Sequence, residues 1–280
     1  MDQVYAAVRE AFPDAGIAAG MHSYFTELNR RPPSADDADL VTHSTCPIVH
    51  AGDDLSVMET LQALPSVFRS ARQLGGGKPY WIGPTAIGMR FNPYGSTTMP
   101  NPGNIRGAMV TIDPRQRGLF NAAWTLGYVV RAVAGHVDGL CLSAISDPSG
   151  IAWHKMDWQQ PWFDEFGLEN AVFPVYHVIA GLAACSGAAA TVLECSHPSR
   201  TAALAIESES GVEIWLANLT AERRRVVLEG MATKLIVQRL DSETFEKCCT
   251  EQDGFLSTSV QQDTTSLDID AYAVLRIRAS

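Results

Sequence analysis

Cysteine is sparse and unpatterned in this chain: six residues, only Cys248 and Cys249 adjacent, and no C-x-x-C. That usage excludes a disulfide-stapled fold and points to a reducing, cytoplasmic setting. Long apolar runs are missing too. The nearest to the roughly 20 residues that cross a bilayer is "FPVYHVIAGLAACSGAAA", and His177 with its small neighbours makes it a buried helix instead. The N-terminus carries no basic segment followed by an apolar core, so no signal peptide is read, and the N-L-T triplet at 218–220 is left as a chance sequon. Positive charge is short, with 21 basic against 31 acidic residues and a net charge of −10. That balance disfavours nucleic acid and anionic membranes as partners. The one basic cluster, Arg223 to Arg225, lies between apolar runs and reads as a solvated strand end. Catalytic signatures are equally scarce. No G-x-S-x-G elbow, H-E-x-x-H or dinucleotide glycine fingerprint occurs, and "GGGKP" places Pro79 where a phosphate loop needs Ser or Thr.

What is there is an ordinary globular composition, 46% apolar and 19% charged over 280 residues, comfortable for two domains. Up to about residue 189 strand-like and helix-like segments alternate. "AGIAAGMHS", "DLVTHST", "KPYWIGPTAIG" and "GLCLSAIS" read as strands. Between them, Ser56 and Glu59 form a capping-box pattern before a helix whose apolar stripe is Leu55, Met58, Leu61, Leu64, Phe68 and Ala71, with Pro65 inside and Gly75 to Gly77 as its stop. Asp113 and Pro114 open the next helix, with Leu119, Ala123, Leu126 and Val130 buried, and a further helix is expected from about Phe173 to Ser186. Four such units predict an α/β domain with a parallel sheet over residues 1–189. From 190 to 280 the pattern becomes short alternating strands with no convincing helix, an all-β antiparallel sandwich. A closed barrel needs eight strands, and only four are counted.

In parallel β/α folds ligands bind beyond the carboxyl ends of the strands. Those ends offer His22, Tyr24, Glu27 and Asn29; then Thr42, His43 and Ser44, with His50 and Asp53 further on; then Thr85, Arg90 and Asn92; then Ser143, Ser146 and Asp147. A purely structural sheet has no need of that polarity. Each has a structural alternative: His22 as a core histidine, Glu27 paired with Arg30 or Arg31, Arg90 in a surface ion pair, Asp53 or Asp54 as a helix cap. The loop tryptophans Trp153, Trp158 and Trp162 read as a lid or a core edge, although indoles also stack on sugars. Nothing in the spacing of His22, His43, His50 and Glu27 requires a metal, and no cofactor is implied.

Five stretches, "GMHSYFTELNRRPP", "DLVTHSTCPIVHAGDD", "SVMETLQALP", "GKPYWIGPTAIGMRFNPYG" and "DPRQRGLFNAAWTLGYVVRA", resemble the D-apionate lactonase family over residues 15 to about 150. The resemblance implies a glycosidase-like TIM barrel, of which this chain carries strands five to eight, followed by a C-terminal β-sandwich. It implies as substrate a small-molecule sugar lactone, opened to its sugar acid. Retaining glycosidases of this barrel type place a Glu at the end of strand seven, whereas "GPTAIGMR" has no carboxylate there. Under the lactonase reading Glu27 or His22 is the base, His43 the acid or carbonyl polariser, and Arg90 the oxyanion holder. Tyr24, Asn29, Thr42, Thr85, Asn92 and Ser146 then contact substrate. A glycosidase-like hydrolase and a non-catalytic carbohydrate-binding or self-associating fragment are the alternatives; self-association would run through exposed half-barrel edges.

Overall fold

The computed structural model describes residues 2–33, 38–168, 170–208, 211–231 and 233–279. Helix α1 (Asp2–Ala11) leads into β1 (Ala18–Met21), α2 (Phe25–Arg30), β2 (Leu40–Thr45), α3 (Asp54–Leu74), β3 (Tyr80–Thr85), α4 (Leu119–Ala134), β4 (Gly139–Leu142) and α5 (Val175–Ala183). The four strands lie side by side in chain order and all run parallel, so β1 and β4 are the two edges of the sheet.

Helix α3 is capped by Asp53, whose Oδ1 accepts the Ser56 N–H at 2.9 Å, so the helix starts earlier than a Ser56 cap would set. Leu55, placed in the buried stripe by spacing, is exposed; Val57 takes the buried place beside Met58, Leu61, Leu64, Phe68 and Ala71. Asp113 does cap the next segment through the Arg115 N–H, but Pro114–Arg117 closes as a 3-10 turn, and extended Gly118 separates it from α4. Helix α4 is buried almost all round because it has partners on two sides.

One partner is the parallel sheet. Alternate residues along a strand face opposite ways: Val41, His43 and Thr45 of β2 and Tyr80 and Ile82 of β3 face the helices. Ala18, Thr42, Trp81 and Cys141 lie on the other, open face, where Trp81 is 51% exposed. The second partner is the C-terminal domain. Its strands are β5 (Ala190–Val192), β6 (Thr201–Ser208), β7 (Gly211–Asn218), β8 (Arg224–Val227), β9 (Leu235–Leu240), β10 (Val260–Gln262), β11 (Ser266–Ile269) and β12 (Val274–Ala279). Six form one antiparallel sheet in the order β10-β9-β12-β7-β6-β5, and β8 with β11 form a ribbon. One face of the large sheet (Leu204, Ile206, Trp215, Ala217) joins the core of α3 and α4; the other (Ala203, Ile214, Leu216, Leu275, Ile277) meets Leu267 and Ile269 of the ribbon. Burial on both faces explains why "IWLA" in β7 does not alternate.

The sandwich also contains a helix that the strand pattern concealed, α6 (Phe245–Thr250). It is a short helix of six residues, nucleated by Asp241 Oδ1, which accepts the Glu243 and Thr244 N–H groups, and it buries Cys248 and Cys249. Where α5 crosses the large sheet, Gly181 lies against the Trp215 indole, and a Cβ at 181 would stand 2.4 Å from its Cζ2. Gly181→Ala is therefore expected to lower unfolding stability by about 1–3 kcal/mol, read as a shifted urea midpoint. An unchanged midpoint would mean that the two surfaces part without cost.

Candidate active site

The carboxyl ends of β1 to β4 share one rim. His22 follows β1 and is exposed, and among the described residues no hydrogen bond holds its ring; its carbonyl accepts the Ser44 hydroxyl at 3.0 Å, tying the ends of β1 and β2. Tyr24 precedes α2 and donates its hydroxyl to the Phe91 carbonyl at 2.8 Å. Burial and the neighbouring Cys46 thiol raise the Tyr24 phenol well above its ordinary pKa, so it stays a donor. Glu27, in the first turn of α2, accepts the Tyr24 N–H through Oε2 at 3.4 Å, and its Oε1 lies 3.6 Å from Arg30 Nη1. The ion pair with Arg30 expected as its alternative is present, and the contact with the Tyr24 N–H adds a capping role that the sequence did not suggest. Asn29 is exposed on the same helix and Thr42 is half-buried on the open face.

Arg90, beyond β3, donates from Nη2 to Ser149 Oγ at 2.6 Å and lies 3.9 Å from Asp147 Oδ2, which joins the ends of β3 and β4. Ser146, in the same turn, is exposed. Asn92 spends its amide inside its own loop, donating to the Thr97 carbonyl and accepting the Tyr94 N–H, which leaves it little for a ligand. Tyr94 lies beside Glu27, and burial and that carboxylate raise its phenol. The strap 90–94 thus reaches from the β4 end at Ser149 to the β1 end at Tyr24.

Two of the expected groups face elsewhere. His43 is 1% exposed and points into the helix layer, against Phe25 and Tyr80. Its Nδ1 lies 2.8 Å from the Ser44 carbonyl, which can only accept, so that nitrogen carries the proton; Nε2 then accepts the Tyr80 hydroxyl at 2.5 Å. Burial lowers its pKa to about 4, so the ring is neutral with both nitrogens engaged. The parity of β2 gives the rim Thr42 and Ser44 and gives His43 to the core. Thr85 is turned the same way: the register of β3 shifts between Ile82 and Thr85, and the side chain ends buried beside the Tyr128 hydroxyl. A cavity of about 340 Å³ lies between β2, α2 and α3, reaching Tyr24, His43, Ser56, Thr60 and Tyr94, and no carboxylate, lysine or arginine lines it.

The rim is anchored from behind. Arg115 forks onto Asp113 (Nε to Oδ1 2.9 Å, Nη2 to Oδ2 2.6 Å) and reaches Asp54 at 3.3 Å, while Arg106 meets the same Asp54 at 2.6 Å. The loop tryptophans form a core edge: Trp158 lies under the Arg117 guanidinium at 5.3 Å, Trp153 donates to Asp164, and Trp162 packs with Phe163, Phe166 and Phe245. Among the described residues no group of three or more His, Cys, Asp or Glu is placed to hold a metal ion. Ser149 went unnoticed in the sequence, although "DPS" at 147–149 is an Asp-Pro turn signal that places its hydroxyl two residues from a carboxylate.

A family profile described as the TIM barrel domain of D-apionate lactonase matches residues 1–187, and one for its C-terminal immunoglobulin-like domain matches residues 198–277. The chain belongs to the D-apionate lactonase family. A D-apionate lactonase of Brucella anthropi is 42% identical over 232 residues, covering 83% of this chain and 36% of the relative, so the chain spans about a third of that protein's length. Two solved structures share the fold: the GH51 arabinofuranosidase of Xanthomonas axonopodis pv. citri (TM-score 0.60, 12% identity, 99% of this chain and 62% of that one) and the α-L-arabinofuranosidase of Thermotoga maritima (TM-score 0.59, 12% identity, 99% and 60%). Such identity speaks for architecture alone. The chain carries four parallel TIM-barrel strands followed by an immunoglobulin-like β domain. No described helix is long and apolar enough to cross a membrane.

The buried neutral His43 makes stability depend on pH. Its folded pKa of about 4 lies below the ordinary 6.5, so between those values the unfolded chain binds the extra proton and stability falls as pH falls. His177, lowered in the same direction by burial, adds to this. The loss through His43 should approach about 3 kcal/mol by pH 4, seen in urea midpoints from pH 7 to 4, with a flatter slope in His43→Gln.

Proposed function

We propose that this chain carries the catalytic rim of a sugar-lactone hydrolase, acting on the lactone of D-apionate or a closely similar branched aldonolactone and yielding the sugar acid. The observation that carries this reading is the 42% identity to a D-apionate lactonase over 232 residues. The rim chemistry suits it. His22, exposed and unengaged, takes a proton from water as water oxygen bonds to the lactone carbonyl carbon, then returns it to the ring oxygen as the C–O bond breaks. Arg90 holds the oxyanion formed between these steps. Glu27 orients Tyr24 and α2; Thr42, Asn29 and Ser146 face the sugar hydroxyls; Asn92 and Thr85 shape the loop and strand behind them. His43 supports β2 through Tyr80. A cytoplasmic setting is supported by six free cysteines.

Purified chain should release protons from the lactone. Arg90→Ala should cut kcat about 10²–10³-fold and His22→Ala about 10²–10⁴-fold. No hydrolysis by the folded chain, or full activity in both variants, overturns the reading.

The open face supports a second proposal, that two copies associate through it. Both edges, β1 and β4, lack a neighbouring strand in the sheet, and Trp81 stands half-exposed between them. Sedimentation should show a dimer that Trp81→Glu converts to monomer; a monomeric wild-type chain at micromolar concentration would contradict it.

A further inference from the structure

The turn after β4 is built around a single hydroxyl. Ser149 Oγ lies 2.7 Å from Asp147 Oδ1 and 2.6 Å from Arg90 Nη2. A carboxylate only accepts and a guanidinium only donates, so the hydroxyl proton is committed to Asp147 and the oxygen lone pair to Arg90. Asp147 Oδ1 also accepts the Ser149 N–H at 2.6 Å, and its Oδ2 stands 3.9 Å from the guanidinium. One edge of Arg90 is thereby fixed, while among the described residues no partner takes its Nε or Nη1.

The backbone holds this carboxylate in place at a conformational cost. Asp147 has φ +131°, a region that glycine occupies freely and other residues do not. The turn is held from behind by buried Gln116, whose Nε2 donates to the Gly150 carbonyl at 2.9 Å, and Gly150 itself has no room for a side chain, since a Cβ would lie 2.9 Å from Ser146 Cα. A residue kept at strained φ, with its carboxylate on the one hydroxyl that meets Arg90, carries a role that glycine could not fill.

We propose that Asp147 and Ser149 are positioning residues for Arg90, aiming its free N–H groups at the oxygen that becomes the oxyanion. This rests on the lactonase reading for what Arg90 faces, but the aiming itself is read independently. In uniformly ¹⁵N-labelled chain, rotation about the Arg90 Nε–Cζ bond should be hindered, become free in Ser149→Ala and Asp147→Gly, and be hindered again in Ser149→Thr. Asp147→Gly should keep or raise the thermal midpoint while freeing the guanidinium, which separates positioning from folding. With the lactone of D-apionate as substrate, Ser149→Ala should lower kcat about 10–100-fold with KM within about threefold, and Ser149→Thr should restore most of it. Equal rotation in wild type and Ser149→Ala, or unchanged kcat in Ser149→Ala and Asp147→Gly where Arg90→Ala is impaired, overturns the proposal. A wild-type chain with a hindered Arg90 and no hydrolysis leaves the positioning intact and defeats the lactonase reading instead.

Discussion

Trp215 is completely buried where the helices of the barrel half meet the central strand of the β domain, and its surroundings leave it one place to go. Gly181 of α5 lies against its ring, Phe255 stacks at 6.0 Å on another side, and its indole N–H is taken by Glu213 at 2.9 Å. Burial pushes the Glu213 carboxyl up, but hydrogen bonds from Arg276 and Trp215 outweigh that and hold it below the usual range. A buried charge in this position is tolerable only with such partners; Arg276 supplies two donors, and Cys185, just past α5, adds its thiol. The last helix of the barrel half and the middle of the sandwich are therefore docked by one polar group and one indole.

That docking reaches the rim through α4. The helix is enclosed by α3 and the parallel sheet on one side and by β6 and β7 on the other, so its Tyr128 hydroxyl presents a fixed partner to Thr45 at the end of β2. The turn before α4 carries Arg115 and Gln116, which hold Asp113, Asp54 and Gly150. Rim groups on loops are thus placed by side chains of the short turn that leads into the buried helix α4, a rigid support for groups that must hold their geometry.

Much of this was legible in the sequence because it follows from periodicity. The four parallel strands, α3, α4 and the change of pattern near residue 190 all show in the spacing of apolar residues. What was not legible depends on parity or on distance. Whether His43 or Thr42 faces the mouth is a one-residue question, and the sequence shows polar groups at both; packing against Phe25 and Tyr80 decides it. Thr85 goes with the core because of a register shift that no local signal marks. The short helix α6 hides among strands because six residues are too few to display a helical period. Arg90 and Ser149 are 59 positions apart, so their contact exists only once β3 and β4 are laid side by side.

The strap from Arg90 to Tyr94 has a mechanical meaning. It touches Ser149, beyond the last strand of the sheet, and Tyr24, beyond the first, so it works as a chord drawn across an arc. A chord of fixed length sets how sharply the arc bends. The strap's two ties, the Arg90 guanidinium on Ser149 and the Phe91 carbonyl on the Tyr24 hydroxyl, sit on adjacent residues, so the outer ends of the four strands are linked at the rim across a single peptide unit.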